Sequence, residues 1–234
     1  MIYISYGVTK SASSFLYLLT EEIMKQSGFE LAKLSIEVKG RDAPENYIDP
    51  VDALALEVIQ NEIAGKSVVV KTHGAPDRAV ADAVSSGRIY ANAVIRDPRE
   101  IALSMIEHGD RSRRLGIQDF TEFTTPVQAI PTIKDQLERF KVWAAINKVL
   151  IFGYDDVCFS THDTIVKIAS QLGVSVDAQK VAAKFDDKNT ILQYNKGIRN
   201  RHRELSSSDN KIFLREFSSY YHRGKFVAHG VSAS

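Results

Sequence analysis

Four short stretches carry residue types suited to holding and moving a charged group. "GVTKSASSF", Gly7 to Phe15, sets Lys10 beside the hydroxyls of Ser11, Ser13 and Ser14, just ahead of an apolar-periodic run. If that run is helical, its first-turn backbone N–H groups join the lysine and hydroxyls in a cradle for a phosphate-like anion. An ordinary serine-capped helix with a surface lysine fits the same residues. "KTHG", Lys71 to Gly74, places a cation and an imidazole two residues apart, so in an extended chain both project to one side. His73 titrates in the range needed for general-base work, the alternative being a loop histidine with a structural hydrogen bond. "RDPREIALS" begins with Arg96, whose planar fork matches phosphate oxygens, and reaches Ser104 eight residues on. A salt bridge from Arg96 to Asp97 or Glu100 is the competing reading. "GYDDV" offers Tyr154 with Asp155 and Asp156; two adjacent carboxylates supply too few ligands for a metal, which favours helix capping or ion pairing.

The elements that must position these residues follow from periodicity. "IYISY" reads as a buried strand, and "SSFLYLLTEEIMKQSG" as an amphipathic helix with Phe15, Leu18, Leu19 and Ile23 on one face and Gly28 as its stop. "LAKLSIEV" predicts a second strand, 39–50 a loop, 51–64 a helix and "SVVVK" a strand rich in β-branched residues. A helix near 77–86 and the strand "IYANAVI" come next. Asp97 then fits an N-cap, Pro98 the first turn and Glu100 the returning member of a capping box. Residues 109–126 read as polar and irregular, 131–145 as a helix, "VLIFGY" as a strand and 160–172 as a helix. The last third reads as more helical, with a segment starting at Ser206 to Asp209 and ending near Tyr221. Strands alternating with helices predict an α/β fold with a mostly parallel central sheet flanked by helices. Ligands bind such sheets at the carboxyl ends of the strands, where all four stretches fall.

The chain of 234 residues, 44% hydrophobic and 25% charged, fits one domain over 1–234, with 224–234 expected as a flexible tail. A formal charge of +1 gives no global attraction for nucleic acid or a membrane surface. The single cysteine, Cys158, excludes an internal disulfide and reads as a core thiol. The N-terminus lacks the basic start of a signal peptide and no run is long enough for a membrane span, so a cytoplasmic location is expected. Thr9, in place of a glycine before Lys10, departs from the GxxxxGK[ST] pattern of nucleotide kinases, and the absence of any GxG disfavours NAD.

Taken in order, these stretches resemble the sulfotransferases that use 3′-phosphoadenylyl sulfate (PAPS). "TKSASSF" is similar to their 5′-phosphosulfate loop P-K-S-G-T-T-W, with Thr9 and Ala12 in place of the proline and glycine. "KTH" matches the K-T-H of the cytosolic branch, and "RDPREIALS" resembles the 3′-phosphate motif R-[ND]-P-x-D-x-x-x-S, with Glu100 for the aspartate. "FGYDDV" is similar to the Y-E-D-[ML] strand exit. "NKGIRNRHRE" resembles the R-K-G-x-x-G-[DE]-W closing segment at Lys196 and Gly197, with Asn195 for the first arginine, and Arg199, Arg201 or Arg203 as sources of displaced charge.

The resemblance implies a P-loop-like PAPS sulfotransferase fold. It implies PAPS as donor, adenosine 3′,5′-bisphosphate (PAP) as product, and no metal. Lys10, Ser11, Ala12, Ser13, Ser14, Phe15, Arg96, Ser104, Lys196 and Gly197 would hold the nucleotide, Phe15 packing against adenine. His73 would be the general base, with Lys10 and Lys71 as catalytic cations. A small-molecule, carbohydrate or lipid acceptor with a hydroxyl or amine is expected, walled by 39–50 and 110–126. A nucleotide kinase or another phosphotransferase is the alternative enzyme. A noncatalytic nucleotide- or RNA-binding protein, reading RNA through "IRNRHRE", is the alternative from another class.

Overall fold

In a computed structural model that describes residues 1–40, 44–187 and 197–222, four strands pair in parallel. They are β1 (Ile2–Gly7), β2 (Val68–Thr72), β3 (Tyr90–Ile95) and β4 (Leu150–Gly153), in the order β2-β1-β3-β4. The chain moves from β1 to β2 on one side, then crosses back over β1 to β3. Helices leaving β1 and β3 therefore diverge to opposite faces, opening a crevice between the carboxyl ends of these neighbouring strands.

Residue alternation decides which helix covers which face. Ile2, Ile4 and Tyr6 of β1, Val68 and Val70 of β2 and Ala91, Ala93 and Ile95 of β3 face one core. That core is closed by α3 (Ala53–Ile63), α4 (Arg78–Ser86), α5 (Pro98–Leu115), α6 (Ile130–Ala145) and α10 (Ser207–Glu216). Tyr3, Val69, Val94 and Phe152 face the other core, under α1 (Ser13–Gln26), α7 (Tyr154–Phe159), α8 (Thr161–Leu172) and α9 (Ala178–Ala183). The period-2 burial on both faces is what a sheet covered by helices on each side requires.

Two expectations change. "LAKLSIEV" is not a strand: only a single bridge, Leu31 to Ser67, touches the sheet, and Ile36–Lys39 forms a short helix, α2, capped by Ser35. Of that stretch only Leu34 is buried, and the outer edge of β2 is instead partly covered by Asn46 to Ile48, which exchange backbone hydrogen bonds with Lys71. The irregular stretch from 109 is also shorter than expected, since α5 continues to Leu115 and Gly116 ends it in a left-handed turn. Arg113 then donates to the carbonyls of Thr121 and Phe123, folding the following loop back against the helix. Ser206 caps α10 as expected, and Ser218–His222 adds a last short helix, α11.

Candidate functional site

The loop from β1 into α1 is shaped by close approach. A methyl group on Gly7 would collide with the Ser13 side chain and with Val94, so glycine is what lets the start of α1 descend onto the β1 and β3 ends. Lys10 and Ala12 both take left-handed backbone conformations, φ 66° and 70°, each costing an L-residue about 1–2 kcal/mol. Ala12 stands at the N-cap with no side-chain cap, so the first-turn N–H groups of α1 face the crevice without a side-chain acceptor among the described residues. Ser11 does not join them: its buried hydroxyl donates to the carbonyls of Val8 and Val94, fastening the loop to β3. Ser13 and Ser14 are buried at the helix start, and Ser14 Oγ accepts from Lys71 Nζ at 2.7 Å. Phe15 packs edge-on against Phe185, with ring centroids 5.4 Å apart.

Beyond β2, Lys71 is buried and also pairs with Glu45 at 3.2 Å. It is thus held in the second core, beneath α1, at the floor of the loop. His73 stands just past the strand, its Nδ1 2.5 Å from the Gly7 carbonyl and its ring 5.6 Å from that of Tyr47. A carbonyl only accepts, so Nδ1 carries the proton and, in the neutral ring, Nε2 is left as the basic nitrogen.

Arg96, past β3, lies flat on Tyr154, with Cζ 3.7 Å from the ring centroid. Its Nε donates to Glu100 at 2.9 Å, and one terminal nitrogen reaches the Ile198 carbonyl at 3.4 Å. Asp97 caps α5 through the Arg99 N–H as expected. The capping box does not form, because the Glu100 carboxylate turns to Arg96 and His202. Of the basic run, Arg201 is buried against Glu107 and Glu204, and Arg199 is stacked on Phe159 near Asp155. Gly197 and Ile198 thus lie along the Arg96 side of the crevice, while Lys196 falls outside the described residues. Asp156 accepts from the Gly153 N–H at the start of α7, the capping role expected of the acid pair. Burial raises the Cys158 thiol to about 12, as befits a structural residue.

One stripe of α5 joins these clusters. Glu100, Ser104 and His108 recur at i, i+4 and i+8, on one helix face and roughly 12 Å from end to end. Glu100 holds Arg96 at one end, and His108 Nδ1 lies 2.7 Å from Lys10 Nζ at the other. Ser104, buried, stands midway. Lys10 is pushed down to about 8, first by burial and then by the positive field of Arg111 and Lys71, with a smaller contribution from Arg96. The lysine turn, the β2 lysine and the β3 arginine therefore share one electrostatic site. A cavity of 780 Å³ bounded by Gly87, Tyr90, Lys148 and Gln171 lies at the opposite, amino ends of β3 and β4, away from this chemistry.

Sequence reasoning missed His108 and the Phe120 ring beside it. Phe120 packs against Lys10 at 5.4 Å and against the His108 ring at 5.0 Å. Gly109 permits this, since a side chain there would strike the Phe120 carbonyl. The i+4 spacing of His108 from Ser104 was the available signal.

No protein-family model matches the sequence, and no curated protein sequence is similar to it. Among solved structures the fold is similar to that of mouse sulfotransferase SULT7A1 complexed with PAP. The TM-score is 0.61 at 13% identity, covering 96% of this chain and 85% of that one. It is also similar to retinol dehydratase in complex with retinol and PAP (TM-score 0.59, 13% identity, 95% and 81% covered). A second complex of retinol dehydratase, with androsterone and PAP, gives 0.60 at 14% identity, with 95% and 80% covered. The α/β architecture with a parallel central sheet is thus the sulfotransferase fold.

Proposed function

We propose that this chain is a PAPS-dependent sulfotransferase that moves a sulfuryl group to a hydroxyl or amine acceptor. The observation that carries the reading is the α5 stripe. It spaces two positive groups, Lys10 with the α1 turn and Arg96 held by Glu100, at the two ends of one crevice with Ser104 between them, as a nucleotide charged at both ends requires. The cation set fits such a donor: Lys71 and Arg96 each meet a carboxylate, whereas Lys10 hydrogen-bonds a histidine and is discharged toward 8 by its surroundings. An anion beside it restores its charge. PAP in the complexes of the similar folds supports the same nucleotide here.

In this reading the uncapped N–H groups of α1 and Lys10 hold the 5′ phosphosulfate end, with Ser13 and Ser14 beside them and Ser11 closing the loop beneath. Arg96 offers its remaining N–H groups to the 3′-phosphate, together with Ser104 and the Gly197 segment. Nε2 of His73 takes the acceptor proton as the acceptor oxygen or nitrogen bonds to sulfur. The bond from sulfur to the bridging phosphate oxygen breaks with its electron pair on that oxygen, where Lys10 meets the developing charge. Lys71, paired with Glu45 under the loop, supports the turn by holding Ser14. Tyr47 and Phe120, brought in by the two loops expected to form walls, flank the acceptor side.

The experiment is mass spectrometry of an acceptor panel incubated with PAPS and the protein, with thermal stability measured beside it. Sulfuryl transfer, and stabilisation by PAP without Mg²⁺, are expected. Mg²⁺-dependent protection by ATP, with no transfer, refutes the reading in favour of a phosphotransferase.

A further inference from the structure

The contact between Lys10 and His108 is accounted for by none of the motifs. An ammonium has three donors and no acceptor, so Lys10 Nζ must donate and His108 Nδ1 must accept across their 2.7 Å separation. The ring that accepts at Nδ1 is neutral and carries its proton at Nε2. The two imidazoles of the site therefore hold opposite tautomers: His73 is protonated at Nδ1 and basic at Nε2, His108 the reverse. Resting on the sulfotransferase reading for its catalytic consequence, we propose that His108 is the positioning residue of Lys10, its neutral imidazole fixing where the ammonium points and keeping it protonated.

Three further observations agree. His108 is fixed in turn by the Phe120 ring, which also covers Lys10, so the pair sits in a built aromatic niche. Burial, then Lys10 and Arg111, hold the His108 imidazole down at about 4, so it stays neutral across the physiological range. The groups that bear on Lys10 are otherwise Arg111 from α5, Lys71 from β2, Arg96 from beyond β3 and Asp119 from the loop after α5. Three are cations and favour loss of the lysine proton, while Asp119 opposes them. The imidazole lone pair adds a neutral acceptor that stabilises the ammonium without cancelling its charge. A carboxylate at that position would neutralise the ammonium and repel an anionic donor.

The test uses two variants of the full chain. His108→Phe keeps a ring against Phe120 but removes the acceptor; His108→Asn puts a carbonyl oxygen near the place of Nδ1. The Lys10 titration is read by NMR from its labelled ε-carbon, without donor or acceptor, and turnover is read separately with PAPS. His108→Phe is expected to lower the Lys10 midpoint below about 8 and to reduce kcat about 10- to 100-fold with the KM for PAPS little changed. His108→Asn is expected to restore both. An unchanged midpoint in His108→Phe overturns the proposal, and so does an unchanged kcat. A wild-type protein inactive with PAPS, yet showing the midpoint shift and its rescue, would sink the sulfotransferase reading while leaving the pairing established.

Discussion

Replacing Arg96 by lysine tests the nucleotide reading at its most specific point. The guanidinium is stacked on Tyr154 at 3.7 Å and gives Nε to Glu100, so its remaining N–H groups form a fixed fork aimed by two constraints. Lysine keeps the charge, and with it a partner for the buried Glu100 carboxylate, but offers a single point donor and no planar stack. Arginine→alanine would be a poorer probe, because removing the guanidinium leaves the buried Glu100 carboxylate only its longer contacts with His202. Breaking such a buried pair costs about 3–5 kcal/mol of stability and confounds binding with folding. Losing one charge-assisted hydrogen bond to a phosphate costs roughly 1.5–3 kcal/mol, about 10- to 150-fold in affinity. Calorimetry should therefore find Arg96→Lys binding adenosine 3′,5′-bisphosphate weaker by about that factor. Adenosine 5′-phosphate, which lacks the 3′ group, should bind within about threefold of wild type. Equal losses for both nucleotides, or none for either, would refute the placement of the 3′-phosphate at Arg96.

Three further outcomes follow from the site. His73→Ala should reduce turnover by roughly 10²–10⁴ with PAP affinity nearly intact, as checked by steady-state kinetics and calorimetry; full turnover removes Nε2 as the base. Lys71→Met should destabilise the fold by about 3–5 kcal/mol in urea unfolding, since Lys71 and Glu45 have side chains only 4% and 8% exposed. The double variant Lys71→Met with Glu45→Leu should recover most of that loss, whereas a purely catalytic Lys71 would leave stability untouched. Lys10, pushed from its ordinary 10.5 to about 8, binds its proton less tightly folded than unfolded. Its contribution to stability is therefore fully present above 10.5 and fades as pH falls through 8, while kcat/KM for PAPS, which needs the ammonium, should decline as pH rises through about 8. Lys10→Met should abolish both dependences in thermal scans and rate profiles.

Much of the fold was legible because its signals are local. β-branched runs, the Asp97–Pro98 helix start and the serine cap at Ser206 each act within a turn or two, and all appear where their residues stand. "LAKLSIEV" failed because strand propensity is realised only when a neighbour edge and a buried face are both available. The stretch around Asn46 takes hydrogen bonds along that edge, and Asn46 itself, buried, bonds to the backbones of Leu34, Ala32 and Val69. The extension of α5 through "GDRSRRL" was hidden by its polarity: Asp110 and Arg113 pair within the helix, and Gly109 is used for packing against the next loop. Lys196, expected at the closing segment, and the tail at 224–234 lie outside the described residues.

The residue types of the candidate site were open to reading in the sequence and their pairings were not, for a physical reason. A motif specifies which groups reach a crevice, but burial then forces each to find a partner, and partners come from distant segments. Glu45 for Lys71 and His108 for Lys10 are 26 and 98 residues away, beyond what spacing reveals. The same pressure explains Ser11: buried under the β1 turn, its hydroxyl donates to the Val8 and Val94 carbonyls. Ala12 takes the left-handed turn that a glycine would adopt freely, so the loop holds this backbone shape at a cost in strain. What defines the crevice is thus the left-handed path through Lys10 and Ala12, made possible by the close approach at Gly7. That path leaves the first-turn N–H groups of α1 without a side-chain cap.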